Sequence, residues 1–351
     1  MLQHYPRDGE AHNNLGGIYS DLGDHERAAK EALAAAETDP DSGIYWLNLA
    51  SNYLDRNRLD EAKATLQKAL QRNPDFFPLH NLMYYVGFLQ GDEILMEQQI
   101  SWAAARPNAE VSMLVRQAEH AVYLGNLNKS RKLYERIVET YSRKSNTGVA
   151  AFREAQEALW ESEFGNAGLA RQAAKAAMTL APEIQAQVIA ALAFARAGET
   201  FEATAIEHKL NKQRPLDTLM QNYWLPTLRA QNELNHGNAK HAVEFLQATS
   251  AYDLSGVGFM LPVYVRGHAC LLANDAAQAV AQFQKVLDHP GVTLGSPLAP
   301  LARLGLARAY RVQGDTEKSR IAYKDFFTLW KDADPDIPIL KDAKSEYAKL
   351  Q

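Results

Sequence analysis

A short polar break recurs along this chain at a nearly fixed interval. The first four breaks, at Gly23, Asn57, Gly91 and Gly125, are each 34 residues apart. The later breaks follow at intervals of 33 to 40 residues, at Gly165, Gly198, Gly237, Asn274 and Gly314. This is the period of stacked helical hairpins, in which each hairpin buries its apolar face only against its neighbours. The interval therefore predicts an all-α array.

Two consecutive units carry the repeat pattern most fully. The first reads HNNLGGIY…GDHERAAKEALAAAETDP and the second reads WLNLASNY…LDEAKATLQKALQRNP. Small residues stand where two helix backbones would cross, and a proline ends the second helix of each unit because it cannot continue a helix. Both units resemble the tetratricopeptide repeat, whose pattern is W-x2-L-G-x2-Y…A-x3-F…P. The resemblance implies a right-handed α-solenoid superhelix.

The repeats can be placed from end to end of the array. We expect a tetratricopeptide array over residues 1–335, followed by a C-terminal capping helix over 336–351, with Asp336 as its cap. Glycine- and serine-containing joints around 141–148, 249–258 and 291–297 lengthen the period. The nine predicted hairpins span approximately residues 9–40, 43–74, 77–107, 110–141, 147–182, 183–215, 217–249, 259–290 and 297–331.

The N-terminus resembles the end of an earlier repeat. The sequence around Tyr5-Pro6 matches the ends of the first two hairpins around Pro40 and Pro74. We therefore expect residues 1–8 to be the remnant of a preceding repeat. The chain is then expected to be the C-terminal portion of a longer array or of a multidomain protein.

Composition excludes several classes of function. The net charge of -5 gives no general attraction to nucleic acid or anionic membranes, and the single cysteine, Cys270, excludes a disulfide framework or a multi-cysteine zinc site. No apolar run reaches the roughly 18 residues that a membrane span needs. We find no catalytic motif and no metal or cofactor signature, so we expect a non-enzymatic, cytoplasmic chain. Cys270 is expected to be a buried core residue.

Three later stretches carry a second resemblance. They read FLQGDEILMEQQISWAAARP, RPLDTLMQNYWLPTLRAQNEL and FFTLWKDADPDIPILKDAKSEYAKL. They are similar to the C-terminal repeat regions of bacterial multidomain signalling proteins, which carry serine/threonine protein kinase or winged-helix domains. This resemblance implies a scaffold that regulates an attached effector. Two alternatives stay open: the docking or sensor part of a kinase, and the ligand- or partner-sensing part of a transcriptional regulator.

A concave groove lined by the first helices is the expected binding surface for a peptide or partner protein. Projection of the helical period places asparagines at matching positions of three consecutive hairpins, where they can hydrogen-bond a peptide backbone. Tyr85 and Phe88 are expected to supply an apolar anchor, and basic residues farther along to meet acidic or phosphorylated partners. Self-association through the exposed first hairpin is a further expectation. The predicted binding residues are Asn13, Asn48, Asp55, Asn81, Tyr85, Phe88, Arg116, Tyr123, His268 and Arg308.

Overall fold

The structure is a computed structural model that describes residues 7–104, 106–180 and 182–350. Its described part divides into two compact units. The first unit takes the residues up to Arg116 together with two later segments, Ala251–Met260 and Asp288–Ser296. The second unit takes Gln117–Ser250, Leu261–Leu287 and Pro297 onward.

Every regular element of the described residues is helical, which confirms the predicted all-α class. A π-helical turn, Met220–Trp224, precedes α13, and a 3-10 turn, Ser250–Tyr252, follows α14. The helices are α1 Gly9–Asp21, α2 His25–Thr38, α3 Gly43–Asp55, α4 Leu59–Arg72, α5 Phe77–Gln90, α6 Glu93–Ala103, α7 Pro107–Tyr123, α8 Leu127–Arg143, α9 Thr147–Glu163, α10 Ala167–Thr179, α11 Ile184–Arg196, α12 Thr200–Gln213, α13 Leu225–Asn235, α14 Ala239–Gln247, α15 Leu261–Leu272, α16 Ala276–Asp288, α17 Pro290–Thr293, α18 Leu298–Gln313, α19 Thr316–Leu329 and α20 Pro338–Ala348.

The recurring sequence break forms the turn within each hairpin. Gly23 takes a left-handed conformation with φ 79°, which costs glycine little because it has no Cβ. The next residue, Asp24, caps the following helix, its Oδ1 accepting a hydrogen bond of 3.1 Å from the Arg27 backbone N–H. Asp92 and Asp315 cap α6 and α19 in the same way. One dipeptide therefore ends the first helix and starts the second.

Small residues allow the two helices of a hairpin to approach closely. Gly16 of α1 is buried, and a Cβ at this position would lie 3.3 Å from the carbonyl oxygen of Ala28 in α2. Ala28, Ala50 and Ala62 are fully buried, as expected of residues at helix crossings. Larger side chains, including Trp46, Leu49, Leu66 and Met83, fill the core between hairpins α3–α4 and α5–α6.

Two long joints pack onto the first hairpins. His25 Nε2 lies 2.7 Å from the carbonyl oxygen of Leu254, in the joint that follows α14. Asn57 donates to the Asp288 carbonyl at 2.8 Å and accepts from the Gly291 N–H at 3.3 Å. The sequence suggested loose joints here, but both segments are held by contacts with residues more than 220 positions earlier.

A buried arginine holds the end of α14 in the second unit. Arg266 of α15 is 6% exposed and donates to the Leu246 carbonyl from Nε at 3.2 Å and from Nη2 at 2.9 Å. Its Nη2 also donates to Thr249 Oγ1 at 2.6 Å. Two of these bonds go to the Leu246 carbonyl, one of the groups that a helix leaves without an intrahelical partner at its C-terminus.

The chain that follows α19 packs on much earlier turns of the second unit. Trp330 Nε1 donates to the Tyr123 carbonyl at 3.0 Å, and the Ile339 N–H donates to the Phe164 carbonyl at 3.2 Å. Helix α20 begins at Pro338, and its N-cap residue is Ile337, which makes no side-chain cap. The predicted Asp336 cap is therefore wrong, because the N-cap position falls one residue later than expected, at Ile337.

The predicted repeat boundaries, the array over 1–335 and the capping role of 336–351 remain predictions. The predicted remnant at 1–8 lies outside the described residues except for positions 7 and 8.

Candidate functional site

Two of the predicted asparagines join neighbouring hairpins of the first unit. Asn48 of α3 donates from Nδ2 to Oδ1 of Asn13 in α1, at 2.7 Å. Both residues are half-buried. A primary amide has two N–H donors and one carbonyl acceptor, so this bond uses only part of each group. The Nδ2 group of Asn13 and the Oδ1 atom of Asn48 can therefore still bind a ligand. Exchange of oxygen and nitrogen in both amides would leave the same donor and acceptor.

Asn81 and Tyr85 make the equivalent contacts between α5 and α7. Asn81 Nδ2 donates to Ser112 Oγ at 2.7 Å. Arg116 Nη1 donates to the Tyr85 hydroxyl at 2.5 Å, and the Arg116 guanidinium carbon lies 4.9 Å from the centroid of the Tyr85 ring. Tyr85 is only 4% exposed and belongs to the core. The Arg116 guanidinium therefore lies over the Tyr85 ring and is positioned by a cation–π interaction.

Phe88 and Asp55 lie apart from these amide pairs. Phe88 is half-buried and packs against a core cluster that includes Tyr84 and Met96. Asp55, at the end of α3, places Oδ2 3.3 Å from Nδ1 of His25. Burial raises the pKa of the Asp55 carboxyl to about 6, and the nearby His25 only partly opposes this rise.

The remaining predicted residues lie in the second unit. Tyr123 is half-buried, and burial raises the pKa of its phenol. The His268 ring contacts the Tyr264 ring edge-on at 4.6 Å between centroids, and its buried Nε2 has no hydrogen-bond partner among the described residues. Burial, with the charges of Arg196 and Arg308, lowers the pKa of His268 well below its ordinary value. His268 is therefore neutral at pH ~7.

Arg308 pairs with the C-terminal helix. Its Nε and Nη2 donate to the two carboxylate oxygens of Glu346 at 2.9 and 3.0 Å. The Tyr323 hydroxyl donates to the same carboxylate at 2.6 Å. Arg308 and Tyr323 thus donate three hydrogen bonds to a carboxylate of the same chain, and charge-assisted bonds of this kind are strong.

Ion pairs between hairpins are the main polar feature that sequence reasoning missed. Arg131 of α8 binds both carboxylate oxygens of Glu161 in α9, at 2.7 and 2.9 Å. Arg196 of α11 donates to Glu163 at 3.1 Å. The sequence signal was present, since Glu161 and Glu163 stand near the end of a helix that is otherwise rich in alanine. The period alone does not say which neighbouring helix supplies the arginine.

Within 7–104, 106–180 and 182–350, no group of three or more histidine, cysteine, aspartate or glutamate side chains is arranged to hold a metal ion. Over the same ranges, none of the helices combines the length and the apolar character that crossing a membrane requires.

Comparison with known families identifies the repeats. A tetratricopeptide repeat model matches residues 27–83, and a second tetratricopeptide repeat model matches residues 2–43 and 264–333. These segments are therefore similar to tetratricopeptide repeats. No curated protein matches it.

Several solved structures align over most of the chain. The structure of yeast Tom70 is 14% identical and the alignment covers 98% of this chain and 88% of that one, with a TM-score of 0.42. A tetratricopeptide repeat protein from Parabacteroides merdae is 15% identical over 86% of this chain and 98% of its own, with a TM-score of 0.35. The P58(IPK) TPR domain is 15% identical, with 98% of both chains covered and a TM-score of 0.28.

Proposed function

We propose that this chain is a non-catalytic interaction module that binds a peptide or a partner protein along the first helices of its hairpins. The tetratricopeptide repeats found at residues 27–83 and 264–333 support this proposal, because such repeats present extended surfaces for partners. The observation that carries it is the amide pair of Asn13 and Asn48.

The amide pair fits a peptide backbone by its hydrogen-bond inventory. A peptide group offers one carbonyl acceptor and one N–H donor. The unused Nδ2 of Asn13 would donate to the carbonyl, and the unused Oδ1 of Asn48 would accept from the N–H. Asn81 leaves its own Oδ1 available after donating to Ser112, so one more acceptor lies farther along the same stack of first helices.

The remaining predicted residues take part as follows. Arg116, fixed over Tyr85, would meet an acidic group of the ligand, while Tyr85 and Phe88 would shape the surface beneath it. Asp55, Tyr123, His268 and Arg308 stay proposed contacts. In the finer proposal, the module regulates an attached effector, such as a kinase or a winged-helix domain, in the cytoplasm. That proposal rests on the sequence resemblance alone.

Peptide selection tests the proposal directly. A linear-peptide display library is selected on the full chain, and the affinities of selected peptides are measured by calorimetry. The double substitution of Asn13→Ala and Asn48→Ala should weaken binding about tenfold, since it removes one or two hydrogen bonds. Asn14→Ala is the matched control, because Asn14 is exposed on the same helix. Unchanged affinity in the double variant would move the binding site elsewhere.

A further inference from the structure

His25 has oxygen atoms facing both of its ring nitrogens. Nε2 lies 2.7 Å from the Leu254 carbonyl oxygen, which can only accept a hydrogen bond. Nδ1 lies 3.3 Å from both Asp55 Oδ2 and Asn52 Oδ1. The Asn52 oxygen is fixed as an acceptor, because its Nδ2 donates to the Asn48 carbonyl at 2.8 Å. A neutral imidazole beside an ionised Asp55 cannot satisfy both sides at once, because it has a single N–H; one further proton on the pair, carried by Nδ1 or by the Asp55 carboxyl, satisfies both.

We propose that His25 and Asp55 form a protonation-dependent latch that holds the segment Ala251–Met260 on the first hairpins and releases it as the pH rises. This inference does not depend on the proposed function. It follows from the number of protons that the pair can share. With that further proton on the pair, His25 is hydrogen-bonded to Asp55 and to Leu254 at the same time. Without it, and with Asp55 ionised, His25 has one N–H and can donate to only one of the two.

The single N–H of the neutral imidazole is donated to Asp55. An ionised carboxylate accepts a stronger hydrogen bond than a backbone carbonyl. The neutral imidazole therefore places its single hydrogen on Nδ1, and the Nε2 lone pair is left facing the Leu254 oxygen. His25 is 4% exposed and the Asp55 side chain is 14% exposed, so water replaces these bonds poorly. Release of Leu254 relieves the repulsion.

The raised pKa of Asp55 also predicts that the contact with Leu254 weakens as the pH rises. Burial raises this pKa to about 6, above the roughly 3.9 of an unfolded chain. A group with a raised pKa favours the folded arrangement at low pH, and this contribution is lost as the pH rises through about 6. The contact between His25 and the segment is thus strongest on the acidic side.

The segment carries backbone strain that its contacts must offset. Phe259 and Met260 have positive φ angles of 51° and 63°, although neither is a glycine. Such conformations persist only where surrounding contacts hold them. Gly23 also packs against this segment, since a Cβ at Gly23 would lie 3.0 Å from the carbonyl carbon of Leu254. Loss of the His25 bond therefore weakens a segment that is already strained.

A cleft of about 510 Å³ adjoins the latch and contains the other charged groups near it. Asp24 is paired with Arg27. Asp253 is buried within the segment itself. The charged and titratable residues lining the cleft are Asp24, His25, Glu26, Arg27, Asp55, Arg56 and His289.

Hydrogen exchange measured by mass spectrometry tests the latch on the full chain. Protection factors for peptides covering 249–260, normalised to the intrinsic rate at each pH, are compared between about pH 5 and 8. In the unmodified chain, protection should fall about fivefold as the pH rises, which corresponds to one net hydrogen bond. Peptides covering 288–296, followed in the His289→Gln variant so that this segment carries no histidine, are the internal control, because Asn57 holds the segment through a group that does not titrate.

Two substitutions separate the latch from a general effect of pH. Asp55→Asn removes the carboxylate that competes with the Leu254 carbonyl for the hydrogen of His25. The Nε2–H of His25 then stays bonded to Leu254, and protection of 249–260 should stay high at every pH. His25→Gln removes the imidazole, and protection should be low at every pH. His289→Gln should leave the pH dependence unchanged. The proposal is overturned if protection in the unmodified chain does not change with pH, or if the change persists in Asp55→Asn.

Discussion

Arg308 of α18 and Glu346 of α20 form a bidentate ion pair that holds the two helices together. Both side chains are about one-fifth exposed, and the Tyr323 hydroxyl completes the coordination of the carboxylate. Leu340 and Ala343, on the same helix, are buried. Helix α20 is therefore held by this polar clamp, by the bond from the Ile339 N–H to the Phe164 carbonyl and by a narrow apolar stripe.

Removal of the clamp should loosen α20. Glu346→Ala leaves Arg308 and Tyr323 without their acceptor, and we expect a loss of about 2 kcal/mol in the free energy of opening of α20. Hydrogen exchange of peptides covering 338–348 measures this loss. Lys344→Ala is the matched control, because Lys344 is exposed on the same helix. Equal exchange in the two variants would contradict the clamp.

The same carboxylate predicts that acid releases α20. Burial favours a higher pKa, but the hydrogen bonds from Arg308 and Tyr323 outweigh it and place the pKa of Glu346 below its ordinary value. A lowered pKa contributes stability above the unfolded value of about 4.3, and this contribution is lost as the pH falls through the folded value. Exchange of α20 should accelerate in that range. Glu346→Gln should exchange faster at neutral pH and show no such acid step.

Gly125 should tolerate a side chain less well than Gly91. Both have positive φ angles, 74° and 67°, so alanine costs about 1–2 kcal/mol at either position. A Cβ at Gly125 would also lie 2.7 Å from the Ala333 Cβ and 3.1 Å from the Trp330 ring, while nothing lies within 4 Å of one at Gly91. We expect Gly125→Ala to lose about 1–3 kcal/mol more. Urea unfolding monitored by tryptophan fluorescence compares the two, and equal midpoints would argue against the packing of 330–333 on this turn.

Glu157 should make the second unit less stable at alkaline pH. Burial, followed by the charges of Glu154 and Glu161, raises the pKa of Glu157 to about 8. A raised pKa contributes stability below the unfolded value of about 4.3, and this stability is lost as the pH rises through about 8. Glu157→Gln should therefore raise the urea midpoint near pH ~9 and have less effect near pH ~5. Glu317→Gln, at an exposed position, should have no effect at either pH.

The thiol of Cys270 should react slowly in the folded chain. Cys270 is 4% exposed, and burial, with the charge of Asp275, raises its pKa. Both conditions lower the fraction of accessible thiolate. Titration with an aromatic disulfide reagent at pH ~8 should be at least about tenfold slower than in denaturant. A rate equal to that of the denatured chain would show that α15 opens readily.

Local signals account for the part of the fold that could be predicted from the sequence. The glycine or asparagine that takes a positive φ and the aspartate that caps the next helix act within a few residues, so their positions identify each hairpin. Long-range contacts could not be found in this way. His25 and Asn57 look like ordinary polar residues of a turn, and their partners stand more than 220 positions away.

The proposed binding surface was predictable only as a set of helix faces. The period placed Asn13 and Asn48 at matching positions, and the structure brings them together. The same period placed Tyr85 and His268 on the expected surface, but neighbouring side chains cover Tyr85 and the Nε2 atom of His268. Helical periodicity defines which residues share a face, whereas their exposure depends on the side chains of the next hairpin.

The docking of Leu254 and Asp288 on the first hairpins has a consequence for synthesis. The hairpins up to α6 leave the ribosome long before either segment exists, and domains generally fold as they emerge. The His25 ring and the side-chain amide of Asn57 must then remain hydrated, or find temporary partners, until residues 251–260 and 288–296 arrive. The first unit is consequently among the last parts of this chain to reach its final form, although most of it is made first.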